Sequence, residues 1–385
     1  MRKLIINGNI ITPFEIREKS HLEIEDGVIK NILSKIPIDV KAYDEVIDAK
    51  GNFVSPGFID IHTHGAYGYD SMEGTEEAIG TIGRFHRKNG VTSFLANVMT
   101  DSPERMREAI KRIAHYMGYR GENTHTTAQL LGIYLEGPYF SREKAGAQPR
   151  EHVKLPNLEE IKEFVSLSEN CIKVVALAPE LEGAEEVIGY LKSKNIAVSA
   201  GHTMATFKET KEAIDLGVTL ATHLYNGMRD FNHREVGVVG AVLTDERVMC
   251  EIIADGIHVH PEAIGMAVEL KGKDKIVLIS DSMMAAGLSD GEYTLAGQKV
   301  YVKNKEARIE SGNLAGSTLT LDRAIYNMVH LVGVKLEDAV RMATLNPAKA
   351  IGVDSRKGSI EIGKDADLVI FEENMTIEKV FIKGM

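Results

Sequence analysis

Eight short apolar runs recur through the middle of this 385-residue chain, and they narrow its possible folds more than any other feature. They occupy residues 57–64, 92–99, 129–136, 172–179, 197–202, 219–223, 250–255 and 275–281. Most lack polar alternation, the pattern of parallel strands covered on both faces. Helical patterns at 75–88, 103–117, 158–167, 183–193, 206–216 and 261–270 separate several of the runs. A Gly-rich, hairpin-like stretch at 291–313 follows the eighth run, then helical patterns at 319–331 and 336–351. This succession favours an α/β chain folded as a (β/α)8 TIM barrel over an open doubly wound sheet. No GxGxxG or Walker A motif, internal repeat or low-complexity tract interrupts it.

The chain ends differ in texture. Residues 4–11 and 22–29 are Val/Ile-rich runs punctuated by Asn-Gly and Asp-Gly turn signals, and 357–360, 366–371 and 379–382 match them in style. Termini commonly lie close together, so these segments are expected to pair. The implied division is a small β domain from 1–55 and 354–385 around a barrel at 56–353.

Charge and cysteine exclude several classes. A net charge of −11 leaves no basic excess to neutralise the phosphates of a nucleic acid. It does not exclude a small anionic substrate, whose capture would have to be local. Two cysteines, Cys171 and Cys250, form neither a CxxC pair nor a disulfide framework. Without an 18-residue apolar run or a signal-peptide core, no membrane association is expected, and a cytoplasmic protein is.

In a barrel of this kind, catalytic groups come from the C-terminal ends of several strands. Here those ends carry His62-Thr63-His64, Glu136, His202, His223 and Asp281. Residues i and i+2 of a strand share a face, so His62 and His64 can meet one cation. An isolated HxH serves equally well as two histidines bonded to backbone or water, but two more strand-end histidines and two carboxylates argue for metal. Imidazole and carboxylate donors suit Zn²⁺ or Fe²⁺. Asp281 ends an apolar run and could take a proton from water and return it to a leaving group. Beyond the strand ends, Asn226 and Gly227 offer an amide and an open backbone N–H to an anion, and Arg234 a positive charge. His258 follows Ala254-Asp255-Gly256, where it could contact substrate; His260 has no comparable context. His86, His115, His125, His152, His233 and His330 read as surface or packing residues.

These blocks resemble the N-acetylglucosamine-6-phosphate deacetylases of the amidohydrolase superfamily. The resemblance runs the length of the chain. It is carried by Pro56-Gly57-Phe58-Ile59-Asp60-Ile61-His62-Thr63-His64-Gly65, Leu135-Glu136-Gly137-Pro138, Ala200-Gly201-His202-Thr203 and Ala221-Thr222-His223-Leu224-Tyr225-Asn226 with Arg234. Ile253-Ala254-Asp255-Gly256-Ile257-His258 and Leu314-Ala315-Gly316-Ser317 add to it, and Thr344–Ala348 and Gly363–Asp367 mark the wider superfamily.

The resemblance implies a barrel flanked by a β-sandwich built from both termini, and a homodimer. It implies metal binding by Glu136, His202 and His223, with Asp281 as general base and acid. Members of the family hold one or two ions; His62 and His64 place this chain with the two-metal type, with Glu136 bridging where many relatives use a carboxylated Lys. Substrate contacts map to Gln148, Asn226, Gly227, Arg234, His258, Leu314, Ala315 and Gly316, and Arg234 reaches the phosphate across the dimer interface. Gln148 departs from members that carry His there. The expected reaction converts N-acetylglucosamine 6-phosphate to glucosamine 6-phosphate and acetate. The rivals are an amidohydrolase acting on a cyclic amide or performing deamination, and a catalytically silent barrel.

Overall fold

The computed structural model describes residues 1–120 and 125–385. Its central sheet has eight strands: β1 (Phe58–Asp60), β2 (Val91–Met99), β3 (Gln129–Glu136), β4 (Ile172–Leu177), β5 (Ala197–Ala200), β6 (Val218–Ala221), β7 (Met249–Ile253) and β8 (Ile276–Ile279). Each pairs in parallel with the next, in chain order. The sheet closes where the chain leaves β1 and meets the chain leaving β8. There Asp281 N–H donates to His62 O at 2.9 Å, His64 N–H donates to Ser282 O at 2.7 Å, and Thr63 bridges Ser282 in parallel.

All eight runs therefore form strands, but several are shorter than their sequence suggests. The first ends at Asp60, so His62 and His64 sit on the closing seam and not within a regular strand. His202, His223 and Asp281 likewise lie two residues beyond β5, β6 and β8. All three adopt left-handed backbone, with φ of 47°, 30° and 49°. Such conformations cost about 1–3 kcal/mol each in a non-glycine residue and collect at functional sites.

Helices cover the outside of the barrel. α1 (Glu76–Lys88) is capped by Thr75, α2 spans Pro103–Arg120, α3 (Leu158–Leu167) is capped by Asn157, and α4 spans Ala184–Ser193. α5 (Phe207–Leu216) opens on a capping box between Thr206 and Glu209. α6 (Gly237–Thr244) has no counterpart in the sequence reading. Seven of its eight residues are buried, so it carries no amphipathic period to detect. α7 spans Pro261–Lys271. The pattern at 319–331 becomes α8 (Leu321–Asn327) continued by a wider turn, Met328–Val332. The pattern at 336–351 splits into α9 (Leu336–Met342) and α10 (Leu345–Ala350). The break follows from Asn346, whose side-chain amide donates to Lys273 O and Ile276 O, tying the second helix to the start of β8.

Both chain ends meet in one seven-stranded sheet, in which Phe53–Pro56 stands between Arg2–Ile11 and Leu368–Phe371. Ile5, Ile10, Leu22, Ile24, Val54, Leu368, Ile370 and Phe381 form a buried cluster separate from the barrel core. The hairpin-like stretch folds as three antiparallel strands, Gly291–Leu295, Gln298–Lys303 and Glu306–Ile309. Gln298 Nε2 donates to Ala147 O at 2.7 Å, joining this small sheet to the loop after β3.

Candidate metal centre and active site

Glu136 is the last residue of β3. The chain turns away at Gly137, whose φ of 97° suits glycine and where a Cβ would lie 2.1 Å from Thr100 Oγ1. The Glu136 carboxylate is thereby left at the barrel mouth, 2% exposed, between two pairs of histidines.

On one side, Glu136 Oε1 lies 3.1 Å from His202 Nε2 and 3.4 Å from His223 Nε2. On the other, Oε2 lies 3.3 Å from His64 Nε2 and 3.7 Å from His62 Nε2. Asp281 Oδ1 faces this second pair at 3.0 Å from His64 Nε2 and 3.5 Å from His62 Nε2. Two donor groups capable of holding an ion therefore share one carboxylate: His62, His64 and Glu136, and Glu136, His202 and His223.

The hydrogen bonds around these rings test whether a cation fits. His202 Nδ1 lies 2.8 Å from Lys144 O, and His223 Nδ1 lies 3.0 Å from Asn226 O. Carbonyls only accept, so both Nδ1 atoms carry hydrogen, and each neutral ring presents a lone pair at Nε2. Those two atoms are 3.1 Å apart. Two lone pairs at that distance, beside a carboxylate oxygen, repel unless a proton or cation lies among them. A tetrahedral ion with bonds of about 2.0–2.1 Å has donor–donor edges of roughly 3.3–3.4 Å, close to the separations here. In the second group His62 Nε2, Glu136 Oε2 and Asp281 Oδ1 are buried without a hydrogen-bond partner. Both groups fit a divalent ion.

The electrostatics agree. Burial would raise the Glu136 carboxyl's pKa, but His62, His202 and His223 hold it well below the usual carboxylate range. Burial would lower His62, but Glu136 and Glu251 push it well above the usual imidazole range.

A cavity of about 250 Å³ opens over this cluster. Of the residues expected to contact substrate, Gln148, Asn226, Gly227, His258, Leu314 and Gly316 line it, together with His64, Glu136, His202, His223 and Asp281. Gln148 Oε1 accepts from Thr100 N–H at 3.0 Å, which leaves its NH₂ free to donate. His258 Nδ1 is held 2.6 Å from Asp255 Oδ2. Ala315 is fully buried and supports its loop through an N–H bond to Ala307 O, so it backs the lining without joining it. Arg234 stands apart, exposed on the loop before α6 and outside this lining.

Sequence reasoning missed Glu251, a fully buried carboxylate 3.1 Å from His62 Nδ1. Its signal was a charge inside an apolar run, Met249-Cys250-Glu251-Ile252-Ile253. Among the histidines read as packing residues, His86 is buried against Phe94, and burial lowers its pKa to about 3.

A closed parallel barrel with clustered imidazoles and a shared carboxylate at its mouth defines a metal-dependent hydrolase of the amidohydrolase class, and the amidohydrolase family model matches residues 53–385. The chain is 41% identical to the N-acetylgalactosamine-6-phosphate deacetylase of Escherichia coli O157:H7, over 94% of this chain and 93% of that one. It is 37% identical to the N-acetylglucosamine-6-phosphate deacetylase of Bacillus subtilis, over 99% and 96%. The Mycobacterium smegmatis N-acetyl-D-glucosamine-6-phosphate deacetylase, solved as a mutant in complex with N-acetyl-D-glucosamine 6-phosphate, superposes with a TM-score of 0.93 at 30% identity, covering 100% of this chain and 98% of that one. The chain belongs to the N-acetylglucosamine-6-phosphate deacetylase family of the amidohydrolases.

Proposed function

We propose that the protein hydrolyses the acetamide of N-acetyl-D-glucosamine 6-phosphate, releasing D-glucosamine 6-phosphate and acetate. The observation that carries this reading is the shared carboxylate, Glu136, standing between two histidine pairs beside Asp281 on the floor of a cavity. Full-length relatives that deacetylate 6-phosphorylated N-acetylhexosamines support the substrate class.

Glu136 Oε1, His202 and His223 would hold one ion, and Glu136 Oε2, His62 and His64 the other, with Asp281 at the second. Bound there, a divalent ion such as Zn²⁺ or Fe²⁺ supplies Lewis-acid polarisation of an amide carbonyl and lowers the pKa of water to about 7. Asp281 accepts the proton of the attacking water at its carboxylate. As the C–N bond breaks, the same carboxyl group returns that proton to the amine nitrogen. His258, its ring fixed by Asp255, orients the acetamido group, while the Gln148 NH₂ bonds the sugar.

Phosphate capture is assigned to Asn226, Gly227 and Arg234, with Arg234 contributed by a second copy in a homodimer. Supporting this, the Arg234 side chain is exposed and has no hydrogen-bond or ion-pair partner among the described residues. Phe231, three residues earlier, is 60% exposed. Arg234→Ala is expected to raise KM for the phosphorylated sugar about tenfold or more with kcat little changed, since a charged hydrogen bond contributes about 1.5–3 kcal/mol. Sedimentation should show wild-type dimers; a monomer at assay concentration would defeat the role in trans. The same reading treats 1–55 with 354–385 as a β-sandwich domain, supported by the separate buried cluster there.

A second reading, action on the C4 epimer N-acetylgalactosamine 6-phosphate, is favoured by the 41% identical relative. Acetate release from both phosphorylated epimers and from unphosphorylated N-acetylglucosamine tests the assignment. The expected result is kcat/KM for N-acetylglucosamine 6-phosphate roughly tenfold or more above the unphosphorylated sugar. A preference for the epimer would favour the second reading. Equal cleavage with and without phosphate would sink the anion site, and turnover confined to cyclic amides or amines would point to a different amidohydrolase.

A further inference from the structure

Glu251 lies in the middle of β7, fully buried, and no step of the proposed reaction uses it. Met249, Cys250, Ile252 and Ile253 around it are buried apolar residues. A carboxylate is costly in such a strand unless it is hydrogen-bonded. Its Oε2 has three neighbours: His62 Nδ1 at 3.1 Å, the His223 backbone N–H at 3.3 Å and the Tyr134 hydroxyl at 3.5 Å. The Tyr134 hydroxyl also lies 2.9 Å from Thr222 Oγ1, which lies 2.6 Å from Ser199 Oγ. These groups come from β3, β5, β7 and the chain after β6, so they can meet only inside the barrel. They form a buried hydrogen-bonded layer that ends on His62, whose ring centroid stands 4.5 Å from that of Tyr134.

The two candidate ion sites are thus supported differently. The outer nitrogens of His202 and His223 donate to the backbone carbonyls of Lys144 and Asn226. Those carbonyls persist whatever side chains are changed. His64 Nδ1 is buried without a partner. His62 is the one histidine of the four whose outer nitrogen faces a carboxylate.

We propose that Glu251 is the positioning residue for the ion held by His62, His64 and Glu136. It holds His62 with Nδ1–H toward its own Oε2 and with Nε2 toward Glu136 Oε2. Carboxylates behind metal-ligating histidines act this way, and their loss typically lowers affinity 10–100-fold. The rings are then oriented differently at Nδ1, His202 and His223 by backbone carbonyls and His62 by a single side chain 189 residues away. This inference rests on the metal-binding part of the proposed function and is independent of the sugar.

The test therefore uses Co²⁺ alone. Metal-depleted wild type and Glu251→Gln are titrated, following visible absorption and ions bound per chain. Wild type is expected to bind two Co²⁺ per chain. Glu251→Gln should bind one with wild-type affinity and the other about 10–100-fold more weakly. Tyr134→Phe, which removes a hydroxyl of the layer but keeps the carboxylate, should leave both affinities within about threefold of wild type. Should Glu251→Gln fail to fold, Glu251→Asp carries the same test, since it withdraws the carboxylate by one methylene. Equal weakening of both ions, two ions at unchanged affinity, or a single ion in wild type would each overturn the assignment. Acetate release from the sugar phosphates is scored separately, so failure of the substrate reading leaves the Co²⁺ result intact.

Discussion

Asp281→Asn is expected to lower kcat for acetate release by about 10²–10⁴-fold while leaving substrate binding nearly unchanged. The substitution is nearly isosteric, and Asn tolerates the left-handed backbone at this position, where φ is 49°. The fold should therefore survive, with a melting temperature close to wild type. What is lost is specific. An amide can neither take a proton from water nor return one to a departing amine. Asp281 Oδ1 also faces His62 and His64, so the second ion is expected to weaken. The ion between Glu136, His202 and His223 has no Asp281 donor in its group and should remain. Single-turnover acetate release, ion content and substrate titration separate these effects. Turnover near wild type would remove Asp281 from the reaction.

Glu136→Ala should have the second large effect, and of a different kind. Because Oε1 serves one histidine pair and Oε2 the other, one truncation removes a donor from both groups. Bound ions are expected to fall from two per chain to near zero. Acetate release should fall roughly 10³-fold or more, since a catalytic ion supplies several kcal/mol of transition-state stabilisation. His202→Ala makes the contrast, because it touches one group only and should leave the ion between His62 and His64 in place. Elemental analysis of dialysed protein reads both variants. Two ions retained in Glu136→Ala would end the shared-carboxylate reading.

Much of this arrangement was legible in sequence because its signals are local. Eight apolar runs reported eight strands, since burial on both faces removes polar residues from a strand whatever its partners. α6 escaped for the converse reason: a helix buried on nearly every side shows no period, and 237–243 carries no polar side chain. The end of β1 was misjudged because its last residues leave one ladder for another, a choice made by Ser282 some 220 positions away. At the site, His62, His64, Glu136, His202, His223 and Asp281 could be picked out because each interrupts or ends an apolar run. Glu251 carried the same kind of signal. It went unread because it stands in mid-strand, where strand-end logic does not look.

The sequence by itself determined the inventory: an alternating chain, the order of its strands, and four imidazoles and two carboxylates at their ends. Tertiary structure decided how these were shared. Closure between Asp281 and His62 brings the first and last strands together. It turns one carboxylate into the partner of two histidine pairs, aims Glu251 at His62, and leaves Arg234 exposed and outside its own chain's cavity lining. The reason is range. Periodicity is fixed by neighbours within a few residues, whereas coordination distances depend on ring closure across more than two hundred.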